Sequence, residues 1–169
     1  MSRSVLTLAT GRALYLRLAV NLARSFLHWH TDSPICFVLA TDQADDLPDD
    51  LREIDVIELK PGQFGQGFSP KLYLNRIAPT NETLFVDADC LCTGSLEPVF
   101  DRFAGHDVSS VSRHMAEGEW FGDLRARCER YRVSSVPSSS EPCTTSRTTR
   151  PPAGLRHSPR RSRPIRRSW

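Results

Sequence analysis

Several protein classes leave signals that this sequence does not contain. No apolar run approaches the roughly 18–20 residues of a membrane span; the longest runs from Ile35 to Ala40. A secretory leader is not expected, because the apolar stretch from Val5 to Thr10 is too short and too polar. The five cysteines, Cys36, Cys90, Cys92, Cys128 and Cys143, are odd in number and fall in no zinc-binding spacing. A reduced, cytoplasmic setting is expected, with Cys90 and Cys92 filling space in the core. The first apolar strand is followed by the single Gly11 rather than a Gly-x-Gly-x-x-Gly turn, which argues against a nicotinamide-type dinucleotide fold.

Charge of one sign is missing from part of the chain. Residues 1–132 hold 14 Lys+Arg against 19 Asp+Glu, a net of −5, whereas residues 133–169 hold eight Arg, no Lys and the single acid Glu141, a net of +7. The modest total of +2 therefore hides two compositions joined near Tyr131. In residues 133–169, Ser, Thr, Pro and Arg make up 27 of 37 positions, without apolar periodicity. Such a segment buries too little apolar surface to offset its ordering entropy, so residues 132–169 are expected to be a disordered tail and residues 1–131 the folded part.

Within the folded part, strands alternate with helices. Residues 5–10, 35–40, 56–59 and 83–86 read as buried strands, with a fifth at 108–111. Leu14, Leu18, Leu22, Phe26 and Trp29 fall about one turn apart and predict a helix between the first two strands. Pro70 starts a predicted helix through about Ile77, and Ser95 is a plausible N-cap for another running to Phe103. Alternation of this kind predicts an α/β fold, a largely parallel sheet covered on both faces. Gly62, Gly65 and Gly67 make a glycine-rich loop, read either as a plain connection or as a cover over a ligand.

The most informative stretch is Phe85-Val86-Asp87-Ala88-Asp89. An apolar strand stops on two carboxylates one residue apart, at the carboxyl end where open α/β sheets bind ligands. Two hard oxygen donors suit a hard divalent cation, and such a cation suits a diphosphate. The bland alternative is a solvated turn. Similar alternatives stand beside the other polar residues. Asp42 ends the second strand and can serve a ribose or a turn. His28 and His30 point apart on a helix and do not suit a metal. Tyr73 and Trp120 read as packing residues.

Three blocks together resemble the family 8 group of GT-A glycosyltransferases, which includes glycogenin and bacterial galactosyl- and glucosyltransferases. They are Leu6-Thr7-Leu8-Ala9-Thr10, Ser69-Pro70-Lys71-Leu72-Tyr73-Leu74, and Leu84 through Leu91 followed by Leu96-Glu97-Pro98-Val99-Phe100. Lys71 precedes Asp87 by sixteen residues, similar to the family's spacing. The resemblance covers about residues 4–124. It implies a Rossmann-like three-layer α/β/α sandwich and transfer of a hexose from a UDP-sugar to a sugar, lipid or protein acceptor, with Mn²⁺ or Mg²⁺ and retention of anomeric configuration. By the same resemblance Asp87 and Asp89 would hold the metal, with Ala88 between them, and Lys71 would sit near the phosphates. Leu8, Ala9 and Thr10 would line the base pocket, and Tyr15, one residue further from the strand than the family's tyrosine, would stack on the base.

The family's pattern continues past residue 132 with an Asn-Gly-Gly-type strand, the acceptor side and a distant histidine that completes the metal site. None is present, and His157 lies in the arginine-rich tail. The sequence is therefore expected to hold the nucleotide-binding half of the domain, with a frame-shifted tail. One codon choice for Pro142 to Thr149 reads, two bases on, as a strand similar to the family's next one. No catalytic residue is assigned. The alternatives are an inactive fragment that at most binds nucleotide, and a protein whose basic tail binds polyanions such as nucleic acid.

Overall fold

In the computed structural model the described residues are 2–120 and 122–138, with the backbone of 144–147. The chain runs β1 (Arg3–Ala9), α1 (Ala13–Trp29), β2 (Ile35–Thr41) and β3 (Asp55–Glu58). It continues through a 3-10 turn at Ser69–Tyr73, α2 (Leu74–Ile77), β4 (Glu82–Phe85), α3 (Glu97–Phe103), β5 (Val108–Ser110) and β6 (Arg113–Met115). The last elements are α4 (Leu124–Tyr131), β7 (Val136–Ser138) and β8 (Thr144–Arg147).

The main sheet has the order β3-β2-β1-β4-β8-β5. β1 is parallel to both β2 and β4, and β2 is parallel to β3. Parallel strands buried on both faces read as continuous apolar runs, and β2 is buried at six of its seven positions. Register carries the packing. Val5 pairs with Phe37 and Leu84, and all three lie in the core on the α1 side. Leu6 pairs with Val38 and Phe85, and these lie in the core on the opposite face with Ile57, Leu59 and Ile77. α1 and Phe100 of α3 cover the first face, and Tyr73, Leu74 and Ile77 cover the second. The expected three layers are therefore present.

α1 departs from the predicted stripe. Its buried positions are Leu16, Ala19, Val20, Leu22, Ala23 and Phe26, while Leu14 and Trp29 are 40% and 50% exposed. Ala19 and Ala23 let the helix approach the sheet closely, so the contact face follows small residues as well as large ones. Phe26 anchors it, stacked on His30 at 4.3 Å and tilted against Phe37 at 5.2 Å. Truncating a phenylalanine buried in this way costs about 3–5 kcal/mol.

The predicted helix over 70–77 divides into the 3-10 turn and the four residues of α2. Ser95 Oγ accepts the Glu97 N–H at 3.3 Å, beside the start of α3. Residues 132–169, read from composition as a disordered tail, supply two short strands. Val136–Ser138 pairs with β6, and Thr144–Arg147 lies antiparallel between β4 and β5. The free edge of β4 offers backbone donors and acceptors that any extended segment can satisfy, and threonine suits a strand. The frame-shift expectation concerns a tail whose residues 139–143 and 148–169 lie outside the described residues.

Candidate functional site

From β1 the chain crosses by α1 to β2 and then β3 on one side, and later returns to β4 on the other side of β1. The carboxyl ends of β1 and β4 therefore flank a topological switch point, where open α/β sheets form a ligand crevice. A cleft of about 350 Å³ lies there. Four segments line it: Leu8 and Thr10 at the end of β1, Tyr15 and Leu18 on the first turns of α1, Gly67, Phe68, Pro70 and Lys71 from the glycine-rich loop and its 3-10 turn, and Asp87, Ala88 and Asp89 after β4.

Local sequence explains each wall. β4 stays bonded to β1 through the Val86 N–H to the Leu6 carbonyl at 3.0 Å, and the chain then turns tightly, the Cys90 N–H bonding the Asp87 carbonyl at 3.1 Å. The turn comes as the apolar run ends, and it leaves Asp87 half-buried and Asp89 exposed. Asp87 is ion-paired with Lys71, Nζ to Oδ1 2.5 Å, with side-chain exposures of 17% and 31%. The Lys71 ammonium is also 5.2 Å from the Phe68 ring centre and 5.7 Å from that of Phe85. Gly65 makes the loop possible. Its φ is +87°, and a Cβ there would fall 2.8 Å from Ser69 Cβ.

Of the eight residues expected at the site, the structure brings seven into the cleft lining: Leu8, Thr10, Tyr15, Lys71, Asp87, Ala88 and Asp89. Ala9 does not line it, because strand alternation turns its side chain into the core beneath α1. Tyr15 is 40% exposed at the mouth, with the Arg12 guanidinium 5.9 Å from its ring centre. Leu18 and Phe68 line the cleft although neither stood out as a site residue. Leu18 looked like helix packing, and the aromatic ending of the glycine loop was the available signal for Phe68.

The remaining polar residues take structural roles. Both Asp42 carboxylate oxygens accept the Gly11 N–H, so Asp42 braces the β1–α1 turn. His30 is buried, and its Nε2 accepts the Leu96 N–H at 3.2 Å. Burial holds its pKa below the ordinary imidazole value, with Glu97 pulling the other way. Cys92 is buried in the core with Cys90 packed against it, and Tyr73 packs on Phe64 at 5.2 Å.

Among the described residues no group of three or more His, Cys, Asp or Glu is placed to share a metal. Asp87 and Asp89 are hard carboxylate donors of the kind that could hold a divalent cation.

No protein-family model and no curated protein matches this sequence. Solved structures do. The galactosyltransferase LgtC, in complex with donor and acceptor sugar analogues, is similar at 20% identity and a TM-score of 0.50 over 65% of this chain and 46% of that one. The glycosyltransferase GlyE of Streptococcus pneumoniae TIGR4 is similar at 17% identity and a TM-score of 0.50 over 86% of this chain and 34% of that one. The bifunctional IspDF of Campylobacter jejuni is similar at 12% identity and a TM-score of 0.51 over 87% of this chain and 41% of that one.

The chain has the GT-A fold, a Rossmann-like nucleotide-sugar transferase fold. It spans between a third and a half of the length of these structures. At such identities the likeness shows the fold alone. No helix among the described residues is long and apolar enough to cross a membrane.

Proposed function

We propose that this chain forms the donor side of a metal-dependent glycosyltransferase of the family 8 type, taking a hexose from a UDP-sugar. The observation that carries this reading is the meeting of Lys71, Asp87 and Asp89 in one cleft at the switch point of a GT-A sheet. Tyr15 offers an aromatic face to the base at the mouth, and Leu8 and Thr10 supply the wall beside it. Asp87 and Asp89 would hold Mn²⁺ or Mg²⁺, which would supply Lewis-acid chemistry to the diphosphate. Lys71 adds positive charge where the departing diphosphate gathers negative charge. Retention of configuration and a sugar, lipid or protein acceptor follow from the family resemblance. Cys36, Cys92 and Cys128 are free thiols, which supports a reducing, cytoplasmic setting.

A second reading rests on the fold alone, which the bifunctional IspDF shares at 12% identity. On this reading the chain binds nucleotide and does not complete transfer. Release of UDP from UDP-glucose or UDP-galactose in Mn²⁺ separates the two. Release by the wild type that is lost in Asp89→Ala supports the transferase. Nucleotide binding without release selects the second reading, and neither binding nor release contradicts both.

A further inference from the structure

We propose that Lys71 is the resident counter-ion of the cleft and that a divalent cation must compete with it for Asp87, so that the site accepts cation and diphosphate together rather than the cation alone. This rests on the reading of Asp87 and Asp89 as the carboxylates that face the cation.

The geometry supplies the competition. Lys71 Nζ contacts Asp87 Oδ1, with side chains 31% and 17% exposed. The surface pair Arg52–Asp49, by contrast, has side chains 64% and 88% exposed. Solvent screens the Lys71 pair less, so its attraction is worth more. The ammonium also lies within cation–π range of the Phe68 and Phe85 rings. Asp89 has no ion-pair partner among the described residues and is exposed.

Two carboxylates and one ammonium leave the cluster at −1. A divalent cation arriving alone raises it to +1 and sets two cations against one half-buried carboxylate. A diphosphate removes that conflict. Its oxygens supply negative charge for both cations, and the Lys71 ammonium can leave Asp87 for a phosphate oxygen without losing an anionic partner. Cation and diphosphate therefore strengthen each other's binding, and the coupling is reciprocal. The flexible four-carbon stem of lysine permits this exchange.

The test is Mn²⁺ binding without nucleotide, followed by loss of the free-ion electron paramagnetic resonance signal. Wild type, Lys71→Met and Lys71→Arg are compared, with Lys71→Gln as the second uncharged variant and thermal melting as the check on folding. Removing the charge should tighten Mn²⁺ binding about fivefold, while Lys71→Arg stays as weak as wild type. UDP binding in Mn²⁺ should weaken in both uncharged variants. Mn²⁺ affinity that is unchanged or lower without the charge overturns the inference and leaves the acidic pair standing as a metal site. Absence of nucleotide-free Mn²⁺ binding in both uncharged variants overturns the inference, and wild-type UDP binding that Mn²⁺ does not strengthen overturns the metal site itself.

Discussion

Both carboxylate oxygens of Asp42 accept the backbone N–H of Gly11, at 3.0 and 3.1 Å. The contact ties the end of β2 to the turn between β1 and α1, where Gly11 has a φ of +82°. Tyr15 and Leu18 leave that turn toward the cleft. Asp42→Ala should cost about 1 kcal/mol of stability by freeing this N–H, measured by urea denaturation. UDP binding should weaken more in Asp42→Ala than in Asp42→Asn, which keeps an acceptor. Equal binding by both variants would show that the turn holds without the brace.

His30 gives a pH dependence. Its imidazole is neutral in the fold because burial disfavours the charged form, and its Nε2 accepts the Leu96 N–H. The folded-state pKa lies below the unfolded value of about 6.5. The contribution of His30 to stability is therefore complete above that value and is lost as pH falls toward the folded-state value. Unfolding midpoints should fall between pH 7.5 and pH 5.5, and His30→Gln should reduce the fall. A midpoint that drops equally in the variant would place the titrating group elsewhere.

Thr7 is fully buried in β1, and its Oγ1 has no hydrogen-bond partner among the described residues. Burying an unpaired hydroxyl is costly. Thr7→Val keeps the branched shape and should raise stability by about 1 kcal/mol, read as a higher denaturation midpoint. A lower midpoint would mean that the hydroxyl has a partner that the valine cannot replace.

Much of this arrangement is legible in the sequence, for physical reasons. β1, β2 and β4 are buried on both faces, so they show as plain apolar runs, and the abrupt stop after Val86 put Asp87 and Asp89 at a strand end. Lys71 is expected there through the family resemblance, carried by the Ser69–Leu74 block and its sixteen-residue spacing before Asp87. Other features depend on tertiary packing. Ala19 and Ala23 carry little hydrophobic signal, yet they set how closely α1 meets the sheet. Ala9 belongs to the opening strand block, but the side on which it points depends on register. Thr144–Arg147 joins the sheet through backbone pairing with β4, which composition does not encode.

The central claim is that Asp87 and Asp89 make this cleft a metal-dependent diphosphate site, and calorimetric titration of UDP with and without Mn²⁺ tests it most directly. The account predicts binding that is at least tenfold tighter in Mn²⁺ than in a chelator, with the gain lost in Asp89→Ala, about the effect expected on disturbing a metal site. Binding of equal strength in both solutions, or a Mn²⁺ effect that survives Asp89→Ala, would contradict it.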